Sequence, residues 1–494
     1  MARLLAVLAV SALLLPGLHL PAFAGSSTQD ILSACSQIAS NISSASSIYY
    51  FPSINYLQDI AHFSSSSAQQ STCSVEPGTP QDVATILKIL GSTNTTFAVK
   101  GGGHASNPTF SSTTGVQISM TRFSGISYNS GAHTVDVGTG LIWDDVYDVL
   151  IPQGVNVVGG RVSGIGVAGF TLGGGYSFLG NQYGFTVDTV TGFELVTPTG
   201  AVLEVTELSH PDLMYALKGG FNNFGIVTRI TLQTFPQGQV WGGMITYLGT
   251  SMPAVSSAIG NFTASVRDPK AAVLAAYNSV AGAVIGSVTL FYNGPSQPEG
   301  IFDEFLAIPS LSQNVGSRSF LDLFLVNPSN QTAGNRGIFN TLMVLDYTED
   351  LCNAILNQTE YWGAQLALQG ATLVSYDIEP FLPSLYSHGS TATAAWPPSR
   401  AQAYLPMNID YAWLLPLNDQ AFYSAAEQSV AAVKAAAENL GQNVGGAYAY
   451  GNYAIFSTPI EEIYGEQLPI LQAIKAVYDP HNVMALTGGW KIPY

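Results

Sequence analysis

Charge is scarce in this chain, and positive charge scarcer still. Only 10% of the 494 residues are charged, and 15 Lys and Arg face 32 Asp and Glu, for a formal net charge of −17. That balance excludes a nucleic-acid partner, which needs a basic footprint to displace counterions. Long hydrophobic runs are also lacking. The one apolar stretch of note, residues 4–15, follows Arg3 and precedes Ala22-Phe23-Ala24-Gly25. It is too short for a comfortable membrane span and reads as a secretory signal peptide over residues 1–24 with an A-x-A cleavage site, so no membrane partner is expected. Cysteine is limited to three residues, enough for one disulfide. In an oxidising compartment Cys35 and Cys73, both near the mature N-terminus, are the expected pair, leaving Cys352 unpaired. Five N-x-S/T sequons, at Asn41, Asn94, Asn261, Asn330 and Asn357, agree with export of a glycoprotein. No metal site is expected.

Glycine and apolar side chains are plentiful, with 50 Gly and 47% hydrophobic residues. Such a chain can bury large cores, and its length is too great for one compact domain. The glycines concentrate in two blocks. The first is Lys100-Gly101-Gly102-Gly103-His104, after the strand-like run Phe97-Ala98-Val99. Consecutive glycines allow close backbone approach, and their free N–H groups can form a nest for a phosphate. A lysine before the nest adds charge, and a histidine after it sets a nucleophilic imidazole beside the bound group. The second block runs from Gly159 to Gly184 and contains Gly164-Ile165-Gly166-Val167-Ala168-Gly169, a letter-for-letter G-x-G-x-x-G, with Asp188 about 20 residues on. A Rossmann turn must open a helix. This one runs into Gly173-Gly174-Gly175, each costing ~1 kcal/mol inside a helix, so a Rossmann unit is not expected.

The two blocks at this spacing resemble the FAD-linked oxidases of the vanillyl-alcohol oxidase type, in the berberine-bridge-enzyme-like branch. Further matching pieces are Val135-Asp136-Val137-Gly138-Thr139-Gly140, Leu217-Lys218-Gly219-Gly220, Asn223-Phe224-Gly225-Ile226-Val227-Thr228, Tyr450-Gly451-Asn452-Tyr453 and Tyr478-Asp479-Pro480-His481-Asn482. The resemblance implies an α+β fold with a two-part FAD-binding domain (25–236 and 446–494) around an inserted α+β substrate domain (237–445). Local patterns agree. A helix is predicted within 77–90, strands over 116–118, 134–137, 190–196, 202–205 and 226–232, and a hairpin turn at Pro198-Thr199-Gly200. Beyond 237, strand-like runs at 243–247, 283–292 and 404–413 alternate with helical ones at 252–266 and 418–440.

By resemblance, cofactor contacts fall to Lys100, Gly101, Gly102, Gly103, His104, Gly160, Val162, Gly164, Gly169, Gly174, Val227 and Asn452. His104 stands where the family bonds covalently to the flavin 8α-methyl. Val162 stands where many relatives carry a second, cysteinyl attachment, so a single bond is expected. Ile165 aligns with a position that shapes oxygen access. Substrate oxidation in such enzymes needs a base that removes an O–H or N–H proton while hydride passes to flavin N5. Matching Ile409-Asp410-Tyr411 to the family's Ile-x-Tyr pattern puts the acid at Asp410, whereas an ungapped count from Arg400 puts Asn408 there. Strand alternation sets Tyr404, Asn408 and Asp410 on one face in either register. Tyr450 is a further candidate, and the reading adopted is Tyr450 as base, assisted by Asp410. The function implied is a secreted, FAD-dependent oxidation of a small alcohol, amine or activated C–H. A secondary metabolite or aromatic alcohol is the expected substrate and molecular oxygen the electron acceptor. The alternatives are an oligosaccharide oxidase and a flavin-binding protein with a non-redox cyclase role.

Overall fold

The computed structural model describes residues 27–326 and 332–494. The signal peptide expected over 1–24 and the sequon at Asn330 lie outside the described residues. The predicted helix is Pro80–Thr93. Proline sits in its first turn, and the Thr79 hydroxyl oxygen accepts from the Asp82 N–H, satisfying a donor that no intrahelical carbonyl reaches. It stops at Asn94 in the left-handed conformation (φ 49°). Helix Thr28–Asn41 buries Ile31, Ala34, Cys35 and Ile38 against it, and the Cys35–Cys73 disulfide joins that helix to strand Cys73–Glu76. Cys352 is buried and unpaired in helix Glu349–Ala367. Peptide mapping of the purified protein should recover the 35–73 bridge, and a bridge from Cys352 to either partner would overturn it.

Strands Cys73–Glu76, Val116–Ser119 and Phe97–Lys100 run parallel, with Ser47–Tyr49 added antiparallel at the edge. Phe97–Lys100 ends at the triple glycine and so delivers His104. A five-stranded antiparallel sheet follows, in the order Ile126–Asn129, Thr134–Gly138, Ile226–Gln233, Val190–Val196, Val202–Val205. The turn at residues 197–201 closes through Thr197 N–H to Ala201 O, with Gly200 at φ +87°. The G-x-G-x-x-G segment does open a helix, contrary to expectation, but only the six residues Val167–Leu172. It ends at Gly173 because Gly174 and Gly175 take φ +126° and +88°, which no helix accommodates.

Residues 240–413 supply a seven-stranded antiparallel sheet, ordered Ser312–Arg318, Val240–Leu248, Ala283–Tyr292, Ala271–Val280, Ala371–Ile378, Leu405–Trp413, Arg336–Val344. Helices Met252–Ser265, Glu349–Ala367 and Asp419–Asn439 cover one face. Period-2 alternation sends Tyr277, Tyr376, Met407, Ile409 and Tyr411 to that face, all fully buried. The hydroxyls of Tyr376 and Tyr411 meet Ser429 on the last helix at 2.9 and 2.6 Å, which satisfies three buried polar groups together. The other face of the sheet looks onto the glycine blocks. The end of the chain returns to the first sheets, where the Asn223 side chain holds Trp490 O and Ile492 N–H, and Phe97 bridges Thr487. No helix among the described residues is long and apolar enough to cross a membrane.

Candidate active site

A cavity of about 870 Å³ lies between the glycine loops and the open face of the seven-stranded sheet. Its floor is backbone. The Gly101–Gly103 turn and Gly166 touch back to back, since a Cβ on Gly102 would stand 2.6 Å from Gly166 Cα. Side chains are therefore barred from the contact, and the floor exposes peptide groups. Asp144 fixes the second loop by accepting from Gly164 N–H (2.7 Å) and from the Ser163 hydroxyl.

His104 stacks on Phe63 with ring centroids 4.1 Å apart. Its Nδ1 is buried with no hydrogen-bond partner. Burial lowers the imidazole pKa to about 4, against a weaker opposite pull from Asp144, so the ring is neutral at physiological pH. A neutral ring with an uncommitted buried nitrogen is a nucleophile held ready.

The roof follows strand alternation. Ser375 and Asp377 on one strand and Asn408 and Asp410 on the next all line the cavity. Burial, reinforced by Asp377, raises the Asp410 pKa to about 8. Tyr450 enters from the floor side. Its phenolic oxygen accepts from Gly175 N–H (3.1 Å) and Asn452 Nδ2 (2.8 Å), yet burial still raises its pKa to about 12.

Of the residues expected from the sequence, Gly101, Gly102, Gly103, His104, Val162, Gly169, Val227, Asn452, Tyr450 and Asp410 line the cavity, as do Asn408 and Ile165. Lys100, Gly160, Gly164, Gly174 and Tyr404 do not, and each has another task. The Lys100 ammonium turns away to the carbonyls of Gln58 and Ala61 at 2.7 and 3.0 Å, with Asp59 nearby, so it adds no charge to the nest. Gly160 makes room for Trp143, Gly174 for Trp396, and Gly164 takes a turn at φ +85° beneath His104. Tyr404 precedes the strand, packs edge-on against Tyr448 and gives its carbonyl to the Tyr386 hydroxyl. Tyr450 and Asp410 share no direct hydrogen bond; the Tyr450 hydroxyl oxygen accepts from Gly175 N–H and Asn452 Nδ2 instead.

The sequence reading missed Arg161, Glu379, Tyr453 and Asp377. Arg161 and Glu379 form a buried ion pair at 2.7 Å, and the Tyr453 hydroxyl lies 3.0 Å from both. Arg161 is the one cation among the described residues lining the cavity, facing three carboxyls: Asp377, Glu379 and Asp410. The period-2 run Leu373, Ser375, Asp377 carried the signal for the last of the missed residues.

Comparison with known proteins fits this geometry. Residues 71–206 match the FAD binding domain family. The FAD-dependent monooxygenase sdcF of Emericella nidulans is 30% identical over 474 residues, covering 92% of this chain and 97% of that protein. An uncharacterized FAD-linked oxidoreductase of Arthroderma benhamiae is 38% identical over 272 residues, which is 54% of each chain. The chain belongs to the FAD-dependent oxidoreductases. Glucooligosaccharide oxidase from Acremonium strictum, in a structure concerned with its 6-S-cysteinyl, 8α-N1-histidyl FAD, shares the fold. Its TM-score is 0.74 at 17% identity, over 93% of this chain and 98% of that one. This FAD-dependent oxidoreductase has the glycine loops on the cavity floor and Asp377 and Asp410 on its roof.

Proposed function

We propose that this chain oxidises a neutral or cationic small molecule bound beneath Asn408 and Asp410, with a secondary metabolite or aromatic alcohol as the substrate class. The observation that carries the reading is Asp410, a carboxyl in the roof that makes no hydrogen bond to the described residues and titrates near neutrality. FAD, when bound, supplies the hydride acceptor at N5, with molecular oxygen as the final acceptor. The backbone of Gly101 to Gly103, Gly166 and Gly169 suits the approach of such a group, and the unpartnered His104 Nδ1 suits a covalent bond to it. Val162 offers no thiol, so the attachment is single and no cysteinyl-flavin peptide should be found. Asp410 takes the O–H or N–H proton. Tyr450 keeps its own proton and, already accepting two hydrogen bonds, serves to orient the substrate.

The oligosaccharide alternative ranks second because the chain is 30% identical to an FAD-dependent monooxygenase over nearly its whole length but only 17% identical to glucooligosaccharide oxidase. A screen of hydrogen peroxide release across aromatic alcohols, amines and oligosaccharides decides the class. Substrates bearing a carboxylate should turn over poorly against three cavity carboxyls and a single, already paired arginine. Absence of anaerobic flavin bleaching by the entire panel would leave the cyclase or binding role standing. Secretion is supported by the disulfide and by the exposure of Asn41, Asn94, Asn261 and Asn357.

A further inference from the structure

Asp410 is not alone on the roof. In the register of strands Ala371–Ile378 and Leu405–Trp413, Ser375 stands opposite Asp410 and Asp377 opposite Asn408. The two carboxyls are thus diagonal neighbours on the same face, where side chains remain within reach of one another. Their surroundings differ. Asp377 accepts from Ser375 Oγ at 2.8 Å and from Asn408 Nδ2 at 3.2 Å, whereas Asp410 makes neither kind of bond. The Asn408 amide is oriented by this arrangement: its nitrogen serves Asp377, and its Oδ1 is left buried and unpartnered.

We propose that Asp377 is a positioning residue that sets the pH at which Asp410 can accept the substrate proton, while holding Asn408 with its carbonyl oxygen free for a substrate donor. Two buried carboxyls on neighbouring positions of one face resist ionising together, so the charge on one holds back the second. Donors from Ser375 and Asn408 favour the negative charge on Asp377. The remaining proton then falls to Asp410, and the raised pKa of Asp410 agrees with that division. The other groups around the pair do not displace it. Glu379 lies further along the Asp377 strand but is committed to Arg161 and Tyr453. On the far side Asp410 faces Phe339, which carries no charge. Tyr450 and Tyr453 share the cavity as neutral phenols, and His104 as a neutral imidazole. Burial raises the Asp377 pKa, and the donors from Ser375 and Asn408, with Arg161 behind them, oppose that rise.

This inference rests on Asp410 being the base, and the test separates the two. Anaerobic flavin reduction by substrate is followed against pH in the native enzyme, in Asp377→Asn and Asp377→Ser, and in Asp410→Asn. Removing the neighbouring charge should move the midpoint of the rising limb about one unit or more to lower pH in both Asp377 variants. Infrared titration reads the same event without turnover. A protonated-carboxyl band missing from Asp410→Asn should vanish at lower pH in Asp377→Asn than in the native protein. An unmoved midpoint and an unmoved band in the Asp377 variants overturn the inference while leaving Asp410 as base. Flavin reduction at the native rate in Asp410→Asn overturns the underlying reading instead. Flavin content, measured in every variant, shows that the fold is intact, and the Ser variant stands in should the Asn variant fail to accumulate.

Discussion

Replacing His104 with alanine is expected to turn a flavin that stays on the polypeptide through acid precipitation into one that is released completely. Three features of the native ring suit the proposed bond. Burial keeps it neutral with a pKa near 4, its Nδ1 has no competing hydrogen bond, and Phe63 stacked at 4.1 Å fixes its plane. A protonated ring has no lone pair to offer, and a hydrogen bond accepted at Nδ1 would compete for it, so these features point to the same chemistry. Alanine removes the nucleophile and leaves the Gly102–Gly166 contact untouched, so the variant should still bind FAD non-covalently. Colour lost to the supernatant from the native enzyme would mean that no covalent bond exists, and a flavinylated peptide in His104→Ala would place the bond elsewhere.

How far the sequence could be read depended on the range of the interaction. Strand alternation placed Asn408 and Asp410 on one face, and the sheet bears this out because period 2 is a local property of backbone geometry. Tyr404 shares their parity but sits one residue before the strand begins at Leu405, where the rule no longer applies. Lys100 was misjudged for a different reason. Its neighbours in sequence are the nest glycines, but its ammonium goes to carbonyls at residues 58 and 61, which the sequence gives no means of pairing with it. The Arg161–Glu379 pair joins residues 218 apart, and neither lies in a pattern that names the other. The glycine blocks were legible as a cofactor floor because close backbone approach needs glycine wherever it occurs. Which glycine faces the cavity and which faces a tryptophan is decided by tertiary packing alone.

Asp410→Asn should slow anaerobic flavin reduction by substrate by ~10²-fold or more, the usual worth of a positioned general base, without changing flavin content. The pH dependence follows from the sign of the shift. A base acts in its ionised form, and burial with Asp377 beside it holds Asp410 protonated up to about pH 8, so the native rate should climb with pH and level off above that value. Asparagine cannot take the proton, and its profile should lose that limb. Tyr450→Phe provides the contrast. It removes the hydroxyl that accepts from Gly175 and Asn452, leaving those donors unpaired, and it should disturb substrate orientation while keeping the limb near pH 8. A phenol with pKa about 12 is almost wholly protonated where these enzymes work, so ionising it first would cost several powers of ten in the fraction of active base. Loss of the pH limb in Tyr450→Phe with its retention in Asp410→Asn would reverse the assignment and make the tyrosine the proton acceptor.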